Sequence, residues 1–289
     1  MATDSDNRQL AIFCDFENVA LGVRDARYAK FDISLVLERL LVKGSIVYKK
    51  AYCDWDRYKA FKSAIHEASF ELIEIPHTRQ SGKNSADIRM VVDALDLCYT
   101  KQHIDTFVVI SGDSDFSPLV SKLRENAKTV IGLGVKNSTS DLLINNCDEF
   151  IFYDDLVRSE AKVKKPKRSK KVAKKKRKTT GSDTESTDTE SSDRESNADS
   201  ADAGDAEEAL SMVIATIQAL QGERGGRSKV WGSMIKQTIK RRRPGFNESF
   251  YGFRTFGDLL EEAQSRGLIE MELDERSGGY VVHKIVSEE

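Results

Sequence analysis

Over the first 160 residues the apolar positions keep switching period. Leu10–Cys14 (LAIFC) is a short continuous apolar run that predicts a buried strand, and it ends in Asp-Phe-Glu-Asn. Ile33–Leu41 carries Ile33, Val36, Leu37, Leu40 and Leu41 at helical spacing. Ser45–Cys53 and Phe70–Pro76 read as strands, with a helix over Arg57–Ala68 between them. Ala86–Tyr99 predicts an amphipathic helix whose apolar stripe is Ile88, Val91, Val92, Leu95 and Tyr99. The strand Thr106–Ile110 (TFVVI) follows. Ser117 as cap and Pro118 in the first turn then open a helix that runs to about Asn126. Thr129–Leu133 is a strand, Ser140–Ile144 starts a helix, and Glu149–Phe152 is a last short strand.

Continuous apolar strands alternating with amphipathic helices predict an α/β fold, a mostly parallel sheet covered on both faces. Right-handed crossovers restrict it to a doubly wound, three-layer α/β/α arrangement. Sites in such sheets form beyond the carboxyl ends of the strands.

The pattern then stops. Residues 164–206 contain no aromatic residue and no Leu, Ile or Met, so they predict a disordered linker. Apolar periodicity resumes in a second small unit. Ala206–Leu220 and Val230–Arg241 predict helices, Pro244-Gly245 is a break, and Thr255–Ala263 predicts a third helix. Leu268–Leu273 and Gly279–Val282 alternate apolar and polar around a turn. Three helices followed by a hairpin predict a winged-helix unit. The chain thus divides into residues 1–160, a linker over 161–206, and a unit over 207–289.

Charge sharpens this division. The 289 residues hold 45 Lys and Arg against 47 Asp and Glu, a net of −2. That total conceals segregation. Residues 162–178 (KVKKPKRSKKVAKKKRK) have 12 Lys or Arg and no acid, whereas residues 179–208 have 11 Asp or Glu and one Arg. No apolar run approaches the ~18–20 residues that span a bilayer, and the polar start MATDSDNRQL is not a secretory signal. Cys14, Cys53, Cys98 and Cys147 are widely spaced in apolar stretches, as expected of buried reduced thiols in a cytoplasmic protein.

The candidate chemistry lies in carboxylates at strand ends. Asp15, Glu17 and Asn18 follow the first strand, and Asp113 and Asp115 follow TFVVI. A strand order of 3-2-1-4-5 makes these strands neighbours and brings the acids to one sheet edge. Asp87, in the first turn of its helix, can face the same edge. Clustered carboxylates repel unless a cation neutralises them, and an all-oxygen donor set selects Mg²⁺ or Mn²⁺. A shared ion requires the four aspartates to converge within a few ångströms. The plainer expectation is that each acid caps a helix or forms a turn, and that Asp93 and Asp96 lie on a solvated face. The basic loop His77–Lys83, with Arg79 and Lys83, suits substrate phosphates as well as it suits a solvated loop.

The segments IFCDFENVA, KNSADIRMVVDALD and FVVISGDSDFSPLV, followed by a Ser-rich turn before Leu142, resemble the NYN domain, a PIN-like ribonuclease family, over residues 8–155. The resemblance implies a PIN-like parallel sheet and metal-dependent hydrolysis of RNA. It makes Asp15, Asp87, Asp113 and Asp115 the metal ligands, makes Asn18 a catalytic residue that would orient substrate or metal-bound water, and puts Ser111 beside them. A family Ser or Thr corresponds to Ser138 or Ser140.

The stretch KVWGSMIKQTIKRRRPGFNESFYGFRTFGDLLEEAQSRGLIEMELDERSGGYVV resembles the LOTUS (OST-HTH) domain. That resemblance implies RNA binding or protein docking. Lys236, Lys240, Arg241, Arg242 and Arg243 end one helix with Tyr251 nearby, a combination suited to phosphate contact and base stacking. Phe253 and Phe256 are expected in the core. The basic linker block suits sequence-blind phosphate binding, and in a eukaryotic host it resembles a nuclear import signal. Two readings result: a metal-dependent ribonuclease with an RNA-binding C-terminal unit, or a non-catalytic RNA-binding or scaffold protein.

Overall fold

The computed structural model describes residues 8–75, 85–164, 206–223, 229–274 and 277–285. The linker predicted over 161–206 falls almost wholly outside these residues, as do Arg79 and Lys83. The N-terminal unit runs β1 (Gln9–Asp15), α1 (Phe16–Asp25), α2 (Ile33–Leu41), β2 (Ser45–Cys53), α3 (Lys59–Glu67), β3 (Glu71–Glu74), α4 (Ser85–Thr100), β4 (Thr106–Ile110), α5 (Ser117–Glu125), β5 (Thr129–Gly134), α6 (Asp141–Asn146), β6 (Glu149–Phe152) and α7 (Tyr153–Lys164). Its strands form one parallel sheet in the order β3-β2-β1-β4-β5-β6, which extends the predicted 3-2-1-4-5 by one strand.

Alternation along the central strands produces the three layers. Leu10, Ile12 and Cys14 of β1, with Val108 and Ile110 of β4, pack into the core under α1, α2 and α3. Ala11 and Phe13, with Phe107 and Val109, pack into the opposite core under α4, α5 and α6. All four cysteines are buried and unpaired, as their apolar settings predict.

Four local expectations change. The helix α1 starts directly at the end of β1, where the apolar pattern predicts only a strand ending in polar residues; α7 is likewise additional. Ser117 is the first helical residue of α5 rather than its cap, and among the described residues its buried hydroxyl has no hydrogen-bond partner. The core face of α4 is Met90, Ala94, Leu97 and Cys98, while Ile88, Val92 and Tyr99 are 64%, 55% and 59% exposed. This helix is apolar over most of its circumference, so spacing alone did not choose the face. Asp93 is not on a solvated face. Its carboxylate accepts from Lys50 Nζ and Tyr52 Oη, both at 2.9 Å. Burial works against its charge, but these two partners prevail and hold its pKa below the ordinary value.

The C-terminal unit runs α8 (Ala206–Glu223), β7 (Val230–Trp231), α9 (Gly232–Arg242), α10 (Phe256–Ser265), β8 (Ile269–Asp274) and β9 (Gly279–Ile285). Val230 and Trp231 form a short strand, not the start of the helix, because they pair with Val282 and Val281 in a β7-β9-β8 antiparallel sheet. A capping box of Thr255 and Asp258 starts α10. Phe256 is buried and Phe253 packs against the same core, as expected.

The two units meet at β6. The Phe150 N–H donates to the Pro244 carbonyl at 3.0 Å, and Asn247 Nδ2 donates to Asp155 Oδ2 at 2.7 Å. Glu149 is shared by a lysine from each side, Lys43 at 2.7 Å and Lys240 at 3.2 Å. Burial opposes the Glu149 charge, yet the two ammonium groups outweigh it and hold the carboxyl below its ordinary 4.5. Lys43 is also held below its usual value, because burial outweighs its single acidic partner.

A carboxyl depressed in the folded state stabilises at pH above its unfolded value, and that contribution is lost as pH falls through the folded one. Small-angle scattering is therefore expected to show the units separating as pH falls below the ordinary Glu range. Glu149→Gln is expected to weaken docking at pH 7, at a cost of about 1.5–3 kcal/mol for hydrogen bonds to a charged group. It should also remove the acid response.

Candidate active site

The site grows from the pairing of β1 with β4. Cys14 lies opposite Ile110, so the next residues, Asp15 and Ser111, leave the sheet side by side. Ser111 Oγ donates to Asp15 Oδ2 at 3.0 Å. Asp15 also caps α1, its Oδ1 accepting from the Asn18 N–H at 3.3 Å. Asn18 Oδ1 in turn accepts from the Gly112 N–H at 2.8 Å, which ties the start of α1 to the turn after β4. A Cβ at Gly112 would lie 2.3 Å from the Ser138 carbonyl oxygen, so only glycine fits there. The loop after β5 is thereby pressed against the β4 turn, and the Ser140 N–H donates to the Gly112 carbonyl at 2.9 Å.

The Asp113 N–H donates to Ser111 Oγ at 3.2 Å, and Asp113 Oδ1 accepts from the Asp115 N–H at 3.0 Å. This caps a short 3-10 turn over Ser114–Phe116. The plain capping roles expected of Asp15 and Asp113 are therefore real. They account for one oxygen of each side chain.

Asp15 feels the charges of Asp87 and Asp113, and Asp87 feels those of Asp113 and Asp115. Asp15 is only 8% exposed. Burial, then the charges of Asp87 and Asp113, push its carboxyl up to about 7, against the pull of Asn18 and Ser111. Asp87 is raised as well, first by burial and then by Asp113, Asp115 and Glu17. Glu17 thus belongs to the acidic edge, although only its position after β1 hinted at it. Arg57 meets it at 3.3 Å.

The stricter expectation is not met. Among the described residues no three Asp, Glu, His or Cys side chains stand close enough to hold a metal ion. The donor set itself, carboxylate oxygen throughout, suits a hard divalent ion.

The C-terminal candidates have other occupations. Lys236 pairs with Glu248 at 2.7 Å, Lys240 with Glu149, and Arg243 with Glu208 at 2.9 Å. Arg241 and Arg242 are exposed in the last turn of α9. The Tyr251 ring stacks on Phe246 with centroids 5.6 Å apart.

Comparison with known proteins adds a family match. The model of the NYN domain matches residues 9–155. A protein of Methanocaldococcus jannaschii described as uncharacterized is 27% identical over 140 residues, 48% of this chain and 55% of that protein. The meiosis regulator and mRNA stability factor 1 of Xenopus tropicalis is 27% identical over 150 residues, 51% of this chain and 9% of that protein. The chain therefore spans about half the length of the first relative and a small part of the second. A solved protein of unknown function from Vibrio parahaemolyticus aligns at 28% identity over 54% of this chain and 98% of its own, with a TM-score of 0.47.

The elevated Asp15 carboxyl makes a prediction about the metal-free protein. A carboxyl that is raised in the folded state binds more protons there than in the unfolded chain, so stability falls as pH rises from about 4 to about 7. At ~1.4 kcal/mol per pH unit, the loss is on the order of 4 kcal/mol. Asp15→Asn retains a capping oxygen and removes the charge. Calorimetry at pH 7.5 should show it more stable than the wild type in EDTA. Equal or lower stability would contradict the buried-charge account.

Proposed function

Because the chain belongs to the NYN domain family, whose members are PIN-like nucleases that act on RNA, we propose that it is a divalent-metal-dependent ribonuclease with an RNA-binding C-terminal unit. The observation that carries this reading is Asp15. A buried carboxylate pushed up to about 7 by its surroundings and by two other aspartates is costly to the fold unless a cation compensates it. Asp15, Asp87, Asp113 and Asp115 would hold Mg²⁺ or Mn²⁺. When bound, such an ion lowers the pKa of an attacking water and stabilises the leaving oxygen of a phosphodiester.

The chain's own residues supply the framework. Ser111 orients Asp15 through its hydroxyl. Asn18 fixes the backbone of the turn that presents Asp113. Asp115, exposed at the rim, is placed to meet substrate or solvent first. RNA as substrate is supported by the name of the Xenopus relative, an mRNA stability factor.

The C-terminal unit is proposed as a winged-helix domain of the LOTUS kind. Its order of helix, short strand, two helices and hairpin supports this. Arg241, Arg242 and Tyr251 are its proposed RNA contacts. Arg79 and Lys83 of the basic loop are proposed phosphate contacts in the N-terminal unit.

The alternative, a non-catalytic RNA-binding protein, is favoured by one observation, the separation of the aspartate side chains. A cleavage assay separates the readings. Labelled single-stranded RNA with Mn²⁺ should be cut by the wild type and left intact in EDTA. Asp113→Asn and Asp115→Asn should each lower the rate at least about a hundredfold, the ~3 kcal/mol scale of losing one transition-state contact. Cutting that survives EDTA would sink the metal mechanism, and RNA that is bound but never cut would establish the alternative.

A further inference from the structure

Among the described residues, two clefts lie where the two units meet. In the smaller, of 200 Å³, the lysines Lys236 and Lys240 are already paired with Glu248 and Glu149. The larger, of 370 Å³, is lined by Lys136, Arg242, Arg243, Phe246, Phe250 and Tyr251. That volume falls within the ~300–1,000 Å³ typical of ligand sites.

Its chemistry is specific. Phe250 and Tyr251 stand edge to face with centroids 5.0 Å apart, and Tyr251 is backed by the buried ring of Phe246, so two rings face the cleft. Lys136 Nζ lies over the Phe250 ring, 3.6 Å from its centre, and the Arg158 guanidinium lies over the same ring at 5.8 Å. Arg242 is exposed and has no carboxylate partner among the described residues, whereas Arg243 is held by Glu208. Two acids also face the cleft, Asp141 and Asp155, and Asn247 already donates to the second. A wall of rings with cations at its rim suits a nucleobase and the phosphate beside it.

The position of the cleft matters as much as its lining. Lys136 begins the loop after β5, and the same loop, two residues on, presses Ser138 against Gly112. Gly112 directly precedes Asp113. One short loop therefore separates the cleft from the acidic edge.

We propose that this interdomain cleft is a nucleotide-binding subsite for single-stranded RNA. A base lies against Tyr251 and the edge of Phe250, its phosphate meets Arg242 and the Lys136 that Phe250 seats, and the strand passes over the 136–140 loop toward Asp113. Neither unit alone forms the subsite. The proposal rests on RNA being the ligand and is independent of whether the strand is cut.

The test uses the full chain in EDTA with a fluorescein-labelled single-stranded RNA, followed by anisotropy across a salt series. Arg242→Glu changes an exposed residue. It should weaken binding about tenfold or more and reduce the slope of log K against log salt by about 0.7, the value for one single-strand phosphate contact. Phe250→Leu keeps an apolar side chain but removes both the ring edge beside the base and the seat of Lys136, and should weaken binding by roughly fivefold or more, the lower end of a lost base contact. RNA carrying 4-thiouridine should photo-crosslink within residues 242–251. Wild-type affinity in both variants, crosslinks confined to the basic tract 162–178, or no RNA binding at all would overturn the subsite. Crosslinks at the cleft with no cleavage in Mn²⁺ would leave the subsite standing and refute the nuclease reading. Normal cleavage by both variants with unchanged affinity would do the reverse.

Discussion

The parallel pairing of β1 with β4 is the constraint on which the rest of the site depends. A crossover places these two strands side by side although more than 90 residues separate them. Their shared register brings Asp15 against Ser111, and Ser111 then sets the backbone of Asp113. A slip of one residue would turn Asp15 to the other face of the sheet and place a different residue against Ser111. The two apolar layers that fix the register, Leu10–Ile12–Cys14 on one face and Ala11–Phe13 on the other, are therefore also what fixes the chemistry.

The site sits uneasily in its own fold. Ser111 and the Asn18 backbone relieve part of the charge on Asp15, but burial and two nearby aspartates work against them. Side chains chosen only for stability would not be arranged this way. The contrast with Asp93 is informative. That carboxylate is also largely buried, but Lys50, Tyr52 and Arg89 surround it, and its pKa falls below the ordinary range instead of rising. One acid has partners built around it, and the other has acids.

Much of this was legible in the sequence. Strand boundaries at Ser45–Cys53 and Glu149–Phe152 are those expected, because short apolar runs bounded by polar residues leave little latitude. The adjacency of β1 and β4, which sets Asp15 beside Ser111, followed from topology rules alone, whereas the four aspartates do not close to the spacing of a shared ion. The misses have physical causes. The helix α1 begins with no intervening loop, since Asp15 ends the strand and caps the helix at once, so its polar first turn read as a strand terminus. Periodicity could not choose the buried face of α4, where apolar side chains occupy both sides and the packing against Phe107 and Val109 decides. The ion pairs of Lys236 and Lys240 join residues 12 and 91 positions apart, and nothing in a basic run announces which members will be paired.

The contact at β6 has a meaning beyond docking. This strand closes one side of a six-stranded sheet, and its outward peptide groups would otherwise offer a template to any extended chain. Here the Phe150 N–H is taken by the carbonyl of Pro244, a residue with no N–H to continue a ladder. The C-terminal unit thus blunts an open sheet edge with the one residue type unable to extend it. A chain cut after residue 160 loses that protection, and with it a guard against edge-to-edge self-association.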